Sequence, residues 1–175
     1  MWRSIVDHFS ESPQRLKVAE AIVRHGFHVE AAGVIKCGDI RIPLKSLGKA
    51  LGIDRRTVRA TTEDICDDTL DTHNPELCEF FSLLRPAGPS LEKVRTVMGY
   101  GVVTIFVDSP ETPGILSEVT SMIAGYGIPI RQVLAEDVAI YQEPCLKVIT
   151  EDPLPGRVIE TLADIKGVRK VIIDK

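Results

Sequence analysis

Two stretches of this chain concentrate residues able to do chemistry. The first runs Val107-Asp108-Ser109-Pro110-Glu111-Thr112-Pro113-Gly114-Ile115-Leu116-Ser117-Glu118-Val119 and joins an apolar run to a helical pattern. Its two prolines stiffen a turn, and Gly114 lets a ligand or a neighbouring backbone come close. The free N–H groups that open the following helix then form a site for a carboxylate. A plainer reading gives the same residues local work only: Asp108 caps the helix and Pro113-Gly114 shapes the turn.

The second stretch is 43–60, Pro-Leu-Lys-Ser-Leu-Gly-Lys-Ala-Leu-Gly-Ile-Asp-Arg-Arg-Thr-Val-Arg-Ala. Leu47, Leu51, Ile53 and Val58 have the apolar spacing of a helix-turn-helix, Gly48 supplies a small residue where two helices cross, and Gly52 supplies the tight turn. Asp54 is placed to cap the second helix, which leaves Arg55, Arg56, Thr57 and Arg59 on its exposed first turns, with Lys45 and Lys49 on the helix before. Such side chains suit phosphate and base-edge contacts in a DNA major groove. From Arg41 to Arg59 six basic residues stand against one acid, a local charge of +5. Seven acids between Glu63 and Glu79, with no Lys or Arg among them, would weaken phosphate binding unless they point away. The competing reading is a three-helix module used for packing or protein contact.

Other reactive residue types do not assemble into a site. His25 and His28 flank a helix end, so their imidazoles diverge, and no carboxylate cluster completes a metal site. Gly99-Tyr100-Gly101 precedes a strand, the wrong order for a nucleotide-binding turn. The four cysteines (Cys37, Cys66, Cys78, Cys145) include no C-x-x-C pair and read as reduced core thiols. No nucleophile comes with a partner base. The sequence therefore predicts no catalytic residues, no metal and no cofactor, in a protein that is not an enzyme.

The elements that must position the two stretches follow from periodicity. The chain has 175 residues, 44% hydrophobic and 26% charged, which suits two small globular domains. A net charge of −4 excludes a generally basic, nucleic-acid-coating protein. No apolar run reaches the ~18 residues needed to span a membrane, and the first residues lack a signal-peptide stretch, so a cytoplasmic protein is predicted. Ser12-Pro13 opens a helix that Gly26 stops. Val34 to Ile42 is interrupted apolar sequence, a short strand or a covering loop. Pro43 opens the next helix, and another spans Pro75 to Leu84. Arg85-Pro-Ala-Gly-Pro-Ser90 then marks a boundary. Beyond it the pattern predicts strands at 102–107, 128–137, 145–150 and 168–173. Helices are expected at 114–126 and 153–165. The order is β-α-β-β-α-β, a split-βαβ arrangement. The predicted organisation is a helical module over 1–85, a linker or strand extension over 86–97, and an α+β domain over 98–175.

The turn with Pro113-Gly114-Ile115-Leu116, followed by Ile123-x-x-x-Gly127-Ile128-x-Ile130 and the closing Gly167-Val168-Arg169-Lys170-Val171, resembles the ACT family across about 75 residues. The resemblance implies an amino acid bound at the turn, by Asp108, Glu111, Thr112, Pro113, Gly114, Ile115 and Leu116. Ile128, Pro129, Ile130 and Arg131 of a neighbouring domain would face it across a homodimer interface. Family members commonly hold the ligand ammonium with an Asn or Asp at the turn, a role open here to Asp108 or Glu111. This turn is longer than the simplest Asp-x-Pro-Gly form. The whole chain is similar to archaeal ACT-containing regulators of amino acid metabolism, some of them described as allosteric regulators of homoserine dehydrogenase. That similarity implies an amino-acid-responsive regulator. It would act on DNA through the helix-turn-helix-like module, or as a regulatory subunit docked on a biosynthetic enzyme.

Overall fold

Local chain chemistry accounts for several of the helix ends. The computed structural model describes residues 2–70 and 73–173. It is mixed α+β, and the chain divides into two compact units, Met1–Gly88 and Pro89–Lys175.

The first unit opens with helices α1 (Trp2–His8) and α2 (Pro13–Arg24). Proline at the first position of α2 has no N–H to leave unsatisfied, and the helix stops at His25, followed by Gly26 at φ 61°. A three-stranded antiparallel sheet follows: β1 (His28–Ala31), β2 (Val34–Cys37) and β3 (Ile40–Ile42), in that spatial order. This sheet corrects the expectation of one short strand or a covering loop. Helices α3 (Leu44–Leu51), α4 (Arg55–Cys66) and α5 (Pro75–Leu83) complete the unit.

Gly52 ends α3 in the left-handed conformation, and the Asp54 carboxylate accepts a hydrogen bond from the Arg56 N–H to start α4. Asn74 caps α5 the same way, accepting from the N–H groups of Glu76 and Leu77. Ile5, Phe9, Val18, Ile22, Val29, Ile35, Val58, Ile65, Leu77 and Phe81 are buried in this unit. Each such side chain taken from water contributes roughly 1.5–3 kcal/mol.

The second unit starts with a 3-10 turn (Glu92–Val94) running into the short helix α6 (Arg95–Met98). From Glu92 to Met98 the segment is helical, so no strand extension precedes β4. Then come β4 (Gly101–Val107), α7 (Ile115–Gly125), β5 (Ile130–Ala135), β6 (Leu146–Thr150), α8 (Gly156–Ala163) and β7 (Val168–Ile173). The strands form one antiparallel sheet in the order β5-β6-β4-β7.

Strand side chains alternate between the two sheet faces. Val103, Ile105 and Val148 therefore share a core with Val119 and Ile123 of α7 and with Val158 and Leu162 of α8. Tyr100, Val102 and Ile149 form a smaller cluster, against which Leu91 packs. Leu116 of α7 is 48% exposed, and Ala50 of α3 is exposed. No helix among the described residues is long and apolar enough to cross a membrane.

Candidate functional site

The turn between β4 and α7 is placed by the sheet. Asp108 donates its N–H to the Gly167 carbonyl at 2.9 Å, tying the end of β4 to the entry of β7. The Thr112 N–H bonds the Ser109 carbonyl at 2.9 Å, closing a tight loop. Gly114 precedes α7 at φ 99°, a conformation that favours glycine. The N-cap position of α7 is held by Gly114 and not by Asp108.

Two cavities border this turn. One, of about 270 Å³, is lined by Thr112, Pro113, Gly114, Ile115 and Leu116 on one side. Ala135, Glu136, Pro144, Cys145 and Leu146 form the other side. The second, of about 450 Å³, is more polar and holds Asp108, Tyr141, Gln142, Glu143 and Arg169. Val107, Pro110 and Pro144 line both, so a headgroup space adjoins an apolar one. Arg169 on β7 pairs with Glu143 at 2.6 Å, placing a cation and a carboxylate beside Asp108. Burial, followed by the hydrogen bond to Glu136, pushes the Cys145 thiol up to about 11, so it stays protonated in the cavity wall.

Among the turn residues, Glu111 lines neither cavity. Ile128, Pro129, Ile130 and Arg131 lie elsewhere in the same chain. Ile130 pairs with Thr150, which pairs with Gly101, so this group sits at the end of the sheet remote from the turn. Arg131 is engaged there with Glu151 at 3.2 Å and lies over the Tyr100 ring at 5.4 Å. Within one chain the facing wall comes instead from 135–146 and from Arg169. Arg169 belongs to a recognisable sequence pattern, but nothing in the spacing of Tyr141 or Glu143 points to this site.

The basic residues of the first unit gather around α3 and α4. Arg55, Arg56 and Arg59 are exposed along α4 and share a cleft of about 430 Å³ with Asp54. Arg41 and Lys45 join Arg55 and Arg59 along a neighbouring cleft of about 350 Å³. Lys49 is exposed on α3 and lines neither cleft, and Thr57 is half-buried, not exposed as expected. Gly48 is required for the close crossing, since a Cβ there would stand 2.6 Å from the Ile53 carbonyl oxygen.

The opposing acids divide. Asp64 is 8% exposed and turns inward to Arg15 at 3.0 Å, while Glu63 pairs with Arg59 at 2.7 Å. Arg59 is thus partly neutralised, while Arg55 and Arg56 keep their side chains on the surface. No group of three or more metal-ligating side chains occurs among the described residues.

Fold and site together define an α+β chain with a cavity-bearing turn in one unit and a basic helix pair in the other. No family model matches this sequence, and no curated protein matches it. A solved structure described as "Crystal structure of PH0061" is 13% identical, over 93% of this chain and 89% of that one. Its TM-score is 0.26, a likeness that carries no argument about fold or function.

Proposed function

We propose that the protein is an amino-acid-responsive regulator, with an ACT-type sensing domain at 98–175 and a helix-turn-helix-like DNA-binding module before it. The observation that carries the reading is the pair of adjoining cavities at the Pro113-Gly114 turn. Asp108 and Arg169 supply groups of opposite charge for the ammonium and carboxylate of an amino acid. The neighbouring space beside Ile115, Leu116 and Leu146 would take an apolar side chain. The β-α-β-β-α-β order with sheet order β5-β6-β4-β7 supports the ferredoxin-like arrangement that the ACT resemblance implies.

A dimer formed through the second unit would let Ile128–Arg131 of the partner close over the turn, and ligand would then bias one dimer geometry. Only differential affinity for two geometries can drive that shift. A thermal-shift screen against the twenty amino acids tests the reading. A true ligand at ~100 times its dissociation constant stabilises by ~2.7 kcal/mol, and Asp108→Ala should abolish that shift. A flat screen across all twenty sinks it.

DNA binding rests on the exposed Arg55 and Arg56. Replacing both by Gln should weaken binding to an operator-containing fragment and flatten its salt dependence. Unchanged affinity removes the DNA reading. The Arg59–Glu63 pair, which lowers the charge of the patch, favours a second reading. In it the helical module docks on an amino-acid biosynthetic enzyme, homoserine dehydrogenase being one that the resemblance implies. Co-purification of such an enzyme without DNA retention would favour it.

A further inference from the structure

Cys66 closes α4 and Cys78 lies in the first turns of α5. The excursion between them returns the chain so that the two sulfurs stand 3.4 Å apart, the Cys78 thiol donating to Cys66 Sγ. Both residues are half-buried, neither sealed in the core nor bare on the surface. Ile65, Leu77 and Phe81, all fully buried, fix the helices on either side, so the thiols are held together by a packed frame. A disulfide requires a sulfur separation of ~2.05 Å, so the bond needs a closing of about 1.3 Å shared by two side chains. The other two cysteines have no such neighbour: Cys37 lies on β2, and Cys145 directs its thiol to Glu136 at 3.2 Å.

We propose that Cys66 and Cys78 are a site of intramolecular disulfide formation, oxidised as a pair by a low-molecular-weight disulfide such as oxidised glutathione. One cysteine, as thiolate, attacks a sulfur of the oxidant and breaks its S–S bond. A protein–glutathione mixed disulfide forms, and one glutathione thiolate leaves and takes up a proton. The second cysteine, deprotonated in turn, attacks its neighbour's sulfur and displaces the second glutathione. Two thiols and one disulfide enter, and one disulfide and two thiols leave. Two electrons pass from the protein to the oxidant. Burial, and then the Cys78 thiol, push Cys66 up to about 12, so thiolate is scarce near neutrality and the reaction quickens as pH rises. The product ties the C-terminal end of α4, the helix that carries Arg55 and Arg56, to α5.

The test uses the full chain with oxidised glutathione at mildly alkaline pH, followed by alkylation, trypsin and mass spectrometry. No Lys or Arg lies between Arg59 and Arg85, so one tryptic peptide carries both cysteines. That peptide should lose two hydrogens, take no alkyl group, and recover both thiols on reduction. Oxidised protein should also melt several degrees higher than reduced protein, because the cross-link restricts the unfolded chain. In Cys66→Ser the missing resolving thiol should leave a stable glutathione adduct on Cys78. Stable adducts on the wild-type pair, or full alkylation of Cys66 and Cys78 while Cys37 reacts, would overturn the proposal. The wild-type measurement decides it even where the variant fails to fold.

Discussion

His28 shows how one buried side chain writes a pH dependence into the first unit. It lies on β1 at 7% exposure. Burial, and then the Arg85 guanidinium, hold its pKa below the ordinary 6.5. In the unfolded chain the imidazole titrates near its ordinary value, so below that pH the unfolded state binds more protons than the folded one. Stability is therefore complete above about pH 6.5 and falls as the pH drops through that value toward the depressed folded one. His28→Gln should flatten the stability profile between pH 7 and pH 5, measured by urea unfolding at each pH. An unchanged slope would assign the dependence to other groups. The two residues that most define the helix pair, Gly48 and Asp54, act through geometry: one leaves room for a backbone carbonyl, the other accepts from a helix N–H.

At the scale of elements, the segment before β4 is held by side chains and not by strand pairing. The Gln132 carboxamide accepts from the Leu91 N–H at 2.9 Å and donates to the Pro89 carbonyl at 2.8 Å. Lys147 pairs with Glu92 at 3.1 Å, and Leu91 packs beside Tyr100, Val102 and Ile149. Gln132→Ala should cost roughly 1–3 kcal/mol, since two bonds vanish and one backbone donor is left part-buried. Hydrogen exchange should accelerate at 91–98 and stay unchanged in β4. Equal protection in both forms would mean that the packing alone holds the segment. This arrangement was hidden in the sequence because its partners lie some 40 residues away. The strands and helices after residue 100 were legible, since runs such as Val102 to Val107 and the helical spacing of Val119 and Ile123 report burial locally. β1, β2 and β3 were not, being three or four residues each, with Ile40 at 71% exposure and no buried stripe to read. The turn at Pro113-Gly114 was visible for its residue types, but the far wall of its cavities was not. Tyr141, Glu143 and Pro144 lie in an irregular loop that only the β5–β6 pairing brings to the turn.

For the whole molecule, the decisive fact is that each unit carries its own core. Val103, Ile105, Val119, Ile123, Val148, Val158 and Leu162 are buried together without any residue from the first unit. A segment with its own buried core and a closed strand order folds alone when that core is large enough to offset chain entropy. A fragment spanning 89–175 should therefore melt cooperatively and keep its β-sheet signature by circular dichroism. It also contains every residue lining the two turn cavities. If the proposed amino acid site lies there, a ligand that stabilises the full chain should stabilise the fragment by a similar free energy, compared at equal ligand excess. A fragment that folds but loses the shift would place an essential part of the site in the first unit. A fragment that unfolds without cooperativity would show that the second core is insufficient by itself.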